Sequence, residues 1–255
     1  MNENYPVIEK NLVSFLREET AKAGISRAVI GLSGGIDSAV SAFLSAKAFG
    51  PENVLGIMMP YRTSSKASLV DAERVVNSLG IRSKKVEITE MVDAYLAKLE
   101  GDVPAVRKGN VMARMRMIVL YDNSAAEKGI VVGTGNKTEI YLGYTTLFGD
   151  SACGINPVGN LYKTQIFGLA KHMGVPEEIL NKRPSADLWE GQTDEDEMGI
   201  LYAEVDRYLY AKFDENKSED ELIKMGFGKD YIAKVNGIIK KNEFKRLPVK
   251  IGRIS

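Results

Sequence analysis

One cysteine, Cys153, and one histidine, His172, are all that 255 residues contain of these two types. A single cysteine excludes an internal disulfide and a zinc site built from several thiolates. Cys153 sits in a glycine-rich loop with no histidine nearby in sequence to activate it, so it reads as structural. His172 follows Ala170-Lys171 in a predicted helix and reads as a surface or packing residue. Net charge is absent too: 34 Lys+Arg balance 34 Asp+Glu, which leaves no global cationic footprint for nucleic acid. No apolar run approaches the ~20 residues that span a bilayer, and residues 1–10 have early charges in place of a signal-peptide core. The expectation is a cytoplasmic protein without membrane contact. Repeats, low-complexity tracts and linkers are likewise missing, so one domain over 1–255 is expected.

What is present is concentrated at residues 28–38. Ala28 to Leu32 is a short apolar run of the kind a buried parallel strand shows, and it breaks into Ser33-Gly34-Gly35. A predicted helix follows from Asp37. Strand, glycine turn and helix start bring main-chain N–H groups together where the helix dipole adds partial positive charge, an arrangement that holds anions. Ser33 and Ser38 can donate to phosphate oxygens, and Asp37 can hold a cation beside them. An ordinary turn capped by Ser or Asp is the alternative, but all six residues Ser33-Gly34-Gly35-Ile36-Asp37-Ser38 after a strand favour phosphate binding. No Gly-Lys-Ser/Thr and no GxGxxG accompanies them. The loop resembles that of the ATP pyrophosphatase superfamily, which implies AMP-forming rather than kinase chemistry.

Along the chain, helices are expected over 4–23, 37–49, 71–79, 91–99, 110–126, 161–173, 194–211, 218–226 and 229–241. Strands are expected over 28–32, 54–59, 85–88 and 130–134, with loops at 101–109, 143–160 and 183–192. This alternation predicts an α/β fold, an open doubly wound parallel sheet flanked by helices. Right-handed crossovers put the carboxyl ends of the strands on one edge, where the turns at 33–38, 60–65 and 134–139 share a crevice.

The second informative stretch is Gly133-Thr134-Gly135-Asn136-Lys137-Thr138-Glu139. Alone it is a turn with a solvated glutamate. Beside the first loop, Thr134 lies near a nucleotide, and Glu139 with Asp37 and phosphate oxygens makes an acceptable Mg²⁺ site. At this point the ordered set becomes specific: Lys108-Gly109-Asn110, Ala113-Arg114-Met115-Arg116-Met117, Gly143-Tyr144, Phe148-Gly149-Asp150, Leu161-Tyr162-Lys163-Thr164, Pro184-Ser185-Ala186-Asp187-Leu188 and Gly191-Gln192-Thr193-Asp194-Glu195. Together with the two loops they resemble the ammonia-dependent NAD synthetase family over nearly the whole chain.

The resemblance implies an adenine nucleotide alpha hydrolase-like fold and a two-step ligation. Deamido-NAD is adenylated by ATP, and ammonia then displaces AMP to give NAD. For ATP it implies Gly31, Leu32, Ser33, Gly34, Gly35, Ile36, Asp37, Ser38, Thr134, Lys163 and Ser185. For Mg²⁺ it implies Asp37 and Glu139. For deamido-NAD it implies Arg116, Glu197, Phe244 and Lys245, and for catalysis Asp37, Lys163 and Asp150, the last placing ammonia. A homodimer is implied, and no glutaminase domain or separate glutaminase is evident. Alone, Lys163 reads as solvated and Arg116 as a surface charge. The Met112, Met115, Ile118 and Val119 face is either a dimer interface or core. Three positions depart from the family pattern: Leu147 stands where many members have lysine, Gly154 where many have aspartate, and Phe244 where histidine is common. An AMP-forming ligase for another carboxylate and a non-catalytic ATP-binding regulator are the competing readings. Asp37, Glu139 and Lys163, all present, speak against the regulator.

Overall fold

The computed structural model describes Met1, residues 3–185 and residues 194–252. Four short strands form the sheet: β1 (Ala28–Gly31), β2 (Val54–Met58), β3 (Arg82–Lys85) and β4 (Ile130–Val132). Their order is β3-β2-β1-β4, and every pairing is parallel. β1 pairs Ala28 with Val54 on one side and with Ile130 on the other. An isolated bridge from Val132 to Ile155 continues the sheet beyond β4.

Side chains of β1 alternate between two apolar layers, as strand geometry requires. Ala28 and Ile30 face the layer of α1 (Tyr5–Lys22), α2 (Ile36–Phe49) and α7 (Lys163–Met173), where Leu16, Leu44, Ile166 and Leu169 are fully buried. Val29 faces the opposite layer, with Leu55 and Ile57 against α4 (Thr89–Leu96) and α5 (Ala105–Glu127). Each buried aliphatic side chain contributes about 1.5–3 kcal/mol. α3 (Lys66–Leu79) packs into the first layer through Ala72 and Val75, and α6 (Lys137–Leu142) follows β4.

After α7 the chain makes a short α8 (Glu177–Leu180), then α9 (Asp194–Met198), α10 (Tyr202–Leu209) with a π turn at Tyr210–Asp214, α11 (Glu219–Lys224) and α12 (Lys229–Asn242). α9 to α12 together with α6 bury a third core around Val205, Tyr208, Leu209, Leu222 and Val235, while Ile179 of α8 joins the first layer. Tyr208, Phe227 and Tyr231 interlock there with ring centroids 5.4–5.9 Å apart. Among the described residues no helix is long and apolar enough to cross a membrane.

Several boundaries move. β3 occupies 82–85, where 85–88 was expected, because this strand is an exposed edge of Arg-Ser-Lys-Lys. The apolar signal belongs to Val86 and Ile88 just after it, which enter the core. α5 starts at Ala105 in what reads as a loop, with Pro104 at its N-cap. The single helix expected over 194–211 is interrupted at Gly199, whose φ is +61°. On α5, Met112 and Val119 are core, packed under Val29 and Ile57, while Ile118 is 52% exposed.

Candidate active site

The loop after β1 is held by its own serines. Ser38 Oγ donates to Gly35 O at 2.9 Å and accepts the Ser33 N–H at 3.3 Å, and the Gly35 N–H donates to Ser33 Oγ at 3.2 Å. Leu32 ties the loop to β2 through an N–H bond to Ile57 O at 2.9 Å. Gly34 has φ +76° and Gly35 caps α2, so the amides of Ser33 and Gly35 turn toward the helix start with Asp37 in its first turn. Their hydroxyl acceptors are weak and long, and phosphate oxygens can replace them.

The turn after β4 brings the second half. Asn136, fully buried, caps α6 with its Oδ1 on the Glu139 N–H at 3.0 Å, while its own N–H donates to Glu139 Oε2 at 3.1 Å. This reciprocal capping box fixes the Glu139 carboxylate. The Asn136 Nδ2 donates to Asp37 Oδ1 at 2.8 Å, across 99 residues. One amide thus orients both carboxylates expected to hold a metal. Its sequence signal was available in the Asn-x-x-Glu spacing.

Lys163 opens α7 and is 2% exposed, not solvated. Its Nζ lies 2.6 Å from Asp37 Oδ2 and 3.5 Å from Glu139 Oε1, with the Tyr202 ring 5.2 Å away. Burial pulls the amine's pKa down, and the Asp37 and Glu139 charges overturn that, so the amine is held above its ordinary value and stays cationic. Glu139 is pushed up to about 8, first by burial and then by the Asp37 charge. Asp194 is buried beside the same group and shifted upward by desolvation, its Oδ2 accepting the Tyr202 hydroxyl at 3.1 Å. Two carboxylates and a buried third share one ammonium, leaving negative charge for another cation. Among the described residues no cluster of three or more metal-ligating side chains occurs. Mg²⁺ does not need one, since one or two carboxylates with substrate phosphates suffice. The donor set fits it.

Beside Glu139 lies a cavity of about 220 Å³, lined by Gly133, Asp150, Cys153, Asn156 and Lys245 among others. Asp150 is fixed by Thr145 Oγ1 and the Thr146 N–H, both at 2.7 Å. Lys245 reaches it from the C-terminal end, its Nζ on Gly143 O at 2.7 Å and Thr145 O at 2.8 Å. Burial lowers the Lys245 pKa, and the Asp150 charge opposes that. The Cys153 thiol is pushed up by desolvation, which keeps it a neutral wall residue. Gly154 is glycine for a packing reason: a Cβ there would stand 2.6 Å from Ile130 Cγ1.

The remaining expected residues are spread more widely. Arg116 donates from Nε to Met59 O at 3.1 Å, at the end of β2. Leu147 has its carbonyl on Arg114 Nε at 3.3 Å. Glu197 is exposed and accepts the Tyr144 hydroxyl at 2.7 Å. Phe244 is 60% exposed. Gly31 ends β1, Thr134 follows β4, Ile36 is buried at the start of α2, and Ser185 is half-buried. The rest of the 183–192 loop from Ala186, with Trp189, lies outside the described residues. His172 pairs with Glu9 at 3.1 Å on the surface, away from all of this. Sequence reasoning passed over Asn136, Tyr202 and Lys182, whose Nζ joins Gly34 O at 3.4 Å, Ser68 Oγ at 2.9 Å and Asp71 Oδ2 at 3.0 Å.

The glycine loop, the carboxylate pair and the buried lysine meet at the carboxyl edge of a parallel sheet. A family model described as NAD synthase matches residues 8–249. The NH(3)-dependent NAD(+) synthetase of Fusobacterium nucleatum subsp. nucleatum is 51% identical over 251 residues, 98% of this chain and 97% of that protein. Among solved structures, NMN synthetase from Francisella tularensis superposes with a TM-score of 0.88 at 35% identity, over 98% of this chain and 99% of that one. The NH3-dependent NAD synthetase from Campylobacter jejuni subsp. jejuni, in complex with the nitrate ion, gives 0.83 at 35% identity, over 98% and 100%. With half its residues shared along nearly its whole length, and with that fold, the chain belongs to the NAD synthase family.

Proposed function

We propose that this chain is an ammonia-dependent NAD synthetase, converting deamido-NAD, ATP and ammonia to NAD, AMP and pyrophosphate. The observation that carries the reading is Lys163, buried between Asp37 and Glu139 at the mouth of the glycine loop. A carboxylate is a poor acyl donor until its oxygen carries a good leaving group. Attack of the nicotinate carboxylate on the α-phosphorus forms a C–O–P linkage and expels pyrophosphate. Ammonia then adds to the acyl carbon, loses a proton, and AMP departs with the oxygen.

The loop N–H groups with Ser33 and Ser38 bind the phosphates. Lys163 stays cationic and meets the negative charge that grows on the departing pyrophosphate. Asp37 and Glu139 hold Mg²⁺, which when bound neutralises phosphate charge. Asp150 and Lys245 line the neighbouring cavity, which suits the acyl group and incoming ammonia. Thr134 and Ser185 complete the ATP side, and Arg116, Glu197, Phe244 and Lys245 the dinucleotide side. A homodimer through α5 belongs to the same reading, supported by exposed Ile118 and Tyr121.

The likeness to an NMN synthetase, with Leu147 and Phe244 in place of polar family residues, favours one second reading: the mononucleotide carboxylate as acceptor. Both are separated by one experiment, pyrophosphate release from Mg-ATP with ammonium and either deamido-NAD or nicotinate mononucleotide. Release and amide formation at least about tenfold faster with the dinucleotide, in kcat/KM, is expected. The reverse order moves the assignment to the mononucleotide, and no release with either removes both.

The metal pair carries its own prediction. Burial and the Asp37 charge raise the Glu139 pKa, so protons compete with Mg²⁺ for that carboxylate. Mg²⁺ affinity of the free enzyme is therefore expected to climb as pH rises toward about 8 and level off above it, with proton release on binding. Calorimetric titrations in two buffers of different ionisation enthalpy check this. A flat affinity from pH about 6.5 to 8.5 contradicts it.

A further inference from the structure

Asp206 lies on α10, fully buried, and takes part in none of the chemistry above. Its Oδ1 accepts the Thr138 hydroxyl at 2.5 Å, and its Oδ2 accepts the Thr164 N–H at 2.8 Å. The same Thr138 hydroxyl accepts the Lys163 N–H at 3.0 Å. Asp206, Thr138, the Lys163 amide and the Thr164 amide therefore close a ring that joins the first turns of α6 and α7. One turn earlier on α10, Tyr202 places its ring beside the Lys163 ammonium.

We propose that Asp206, acting through Thr138, is a positioning residue that sets where Lys163 enters the ATP site. The inference rests on the reading of Lys163 as the phosphate-binding lysine. Packing α10 against α7 requires shape, which apolar side chains provide throughout this core. A fully buried carboxylate is costly there, and what it alone supplies is two acceptors at a fixed separation. One holds a hydroxyl whose remaining lone pairs then face the Lys163 amide. The other holds the next amide of the same helix turn, where the helix dipole favours a negative group. Two consecutive main-chain amides are thereby fixed, and so is the root of the side chain that must reach the pyrophosphate. Glu139 shares α6 with Thr138, so the ring also ties the lysine to one of its own carboxylate partners. The third core thus reaches the nucleotide site through Asp206 as well as through the Tyr202 ring.

Asp206→Asn is nearly isosteric and cannot satisfy the ring: its NH₂ either meets the Thr164 N–H, donor against donor, or forces the Thr138 hydroxyl to turn. A kcat loss of about 10- to 100-fold in pyrophosphate release is expected, with the KM for deamido-NAD moving less than about twofold. Thr138→Val is expected to reproduce the loss, and Thr138→Ser to recover most of it because the hydroxyl returns. This pair serves if Asp206→Asn does not fold.

The deciding measurement is a double-mutant cycle with Lys163→Met, read as Mg-ATP affinity and single-turnover rate. Asp206→Asn or Thr138→Val should add less than about twofold once Lys163 is gone. Full multiplicative losses in the Lys163→Met background overturn the positioning role while leaving the lysine's own role intact. A Lys163→Met enzyme with undiminished rate and ATP affinity overturns the reading of Lys163, and the positioning role with it.

Discussion

Replacing Lys163 by Met should lower kcat for pyrophosphate release by about 10²- to 10³-fold, the range found when one fixed donor to a developing anion is removed. The size follows from the lysine's surroundings. Its ammonium is almost fully buried, 2.6 Å from Asp37, so it acts in a medium of low effective dielectric without water to reorganise. A solvated surface lysine would be worth a few-fold at most. The same substitution leaves Asp37 and Glu139 facing each other without a cation. Breaking a buried pair in this way can cost about 3–5 kcal/mol. Both carboxylates retain some solvent access and Glu139 can take up a proton, which puts the expected loss at the low end.

That proton gives the stability change a pH sign. In Lys163→Met the Glu139 carboxyl, already raised by burial and the Asp37 charge, loses its neighbouring cation, and its folded-state pKa rises further above the unfolded value of about 4. A group with a raised folded pKa keeps its stability below the unfolded pKa and loses it as pH rises through the folded one. The variant should therefore match the parent near pH about 4.5 and fall behind progressively toward pH about 8. Thermal midpoints across that range check it. An equal deficit at every pH would mean that the lysine contributes through its methylene packing, not through its charge.

How Lys163 reads in the sequence shows where legibility ends. The loop at 33–38 was readable because two glycines and two serines follow a run that only a buried strand explains. Glycine, strand and helix signals are local, and so is the order β1, α2, β2. Burial of Lys163 is not local: it arises from Asp37, 126 residues earlier, and from Tyr202 on a helix whose own amphipathic face says nothing of ATP. Asp206 is the same case, since a lone aspartate on α10 resembles a solvated residue until the fold closes over it. β3 was misplaced for the opposite reason. Its residues pair by main chain alone, and their charged side chains carry no period. Exposed Arg82 does make a bidentate pair with Glu127 at 2.7–2.8 Å, worth only about 0–1 kcal/mol at the surface. The family resemblance pointed to Asp37, Glu139 and Lys163, and the fold places the lysine beside both carboxylates. It had no way to show that Gly154 is glycine because Ile130 fills the space.

Gly34→Ala is expected to damage the fold and the nucleotide site together, and Gly35→Ala the site alone. Gly34 combines two demands. Its φ of +76° costs an L side chain about 1–2 kcal/mol, and a Cβ built there stands 2.1 Å from the carbonyl oxygen of Ser68. That neighbour is main chain in the first turn of α3, not the end of a flexible side chain, so the loop or the helix must move. Lys182 resists both movements, because its ammonium binds Gly34 O, Ser68 Oγ and Asp71 at once. Strain and displacement together should cost about 3 kcal/mol or more. With the loop shifted, Mg-ATP affinity should fall at least about tenfold. At Gly35 a Cβ meets only Ser33 Oγ at 3.3 Å, and its backbone conformation is open to any residue. Gly35→Ala should keep the parent's thermal midpoint within a degree or two and still weaken ATP, because the Cβ occupies space beside the amides that face the phosphates. Gly237→Ala, on the exposed face of α12 with open space around it, calibrates the scale by gaining about 0.5–1 kcal/mol. Thermal unfolding and nucleotide titration on the three variants separate the roles. Equal midpoints for Gly34→Ala and Gly35→Ala would show that α3 gives way freely, and that Lys182 does not brace the loop against it.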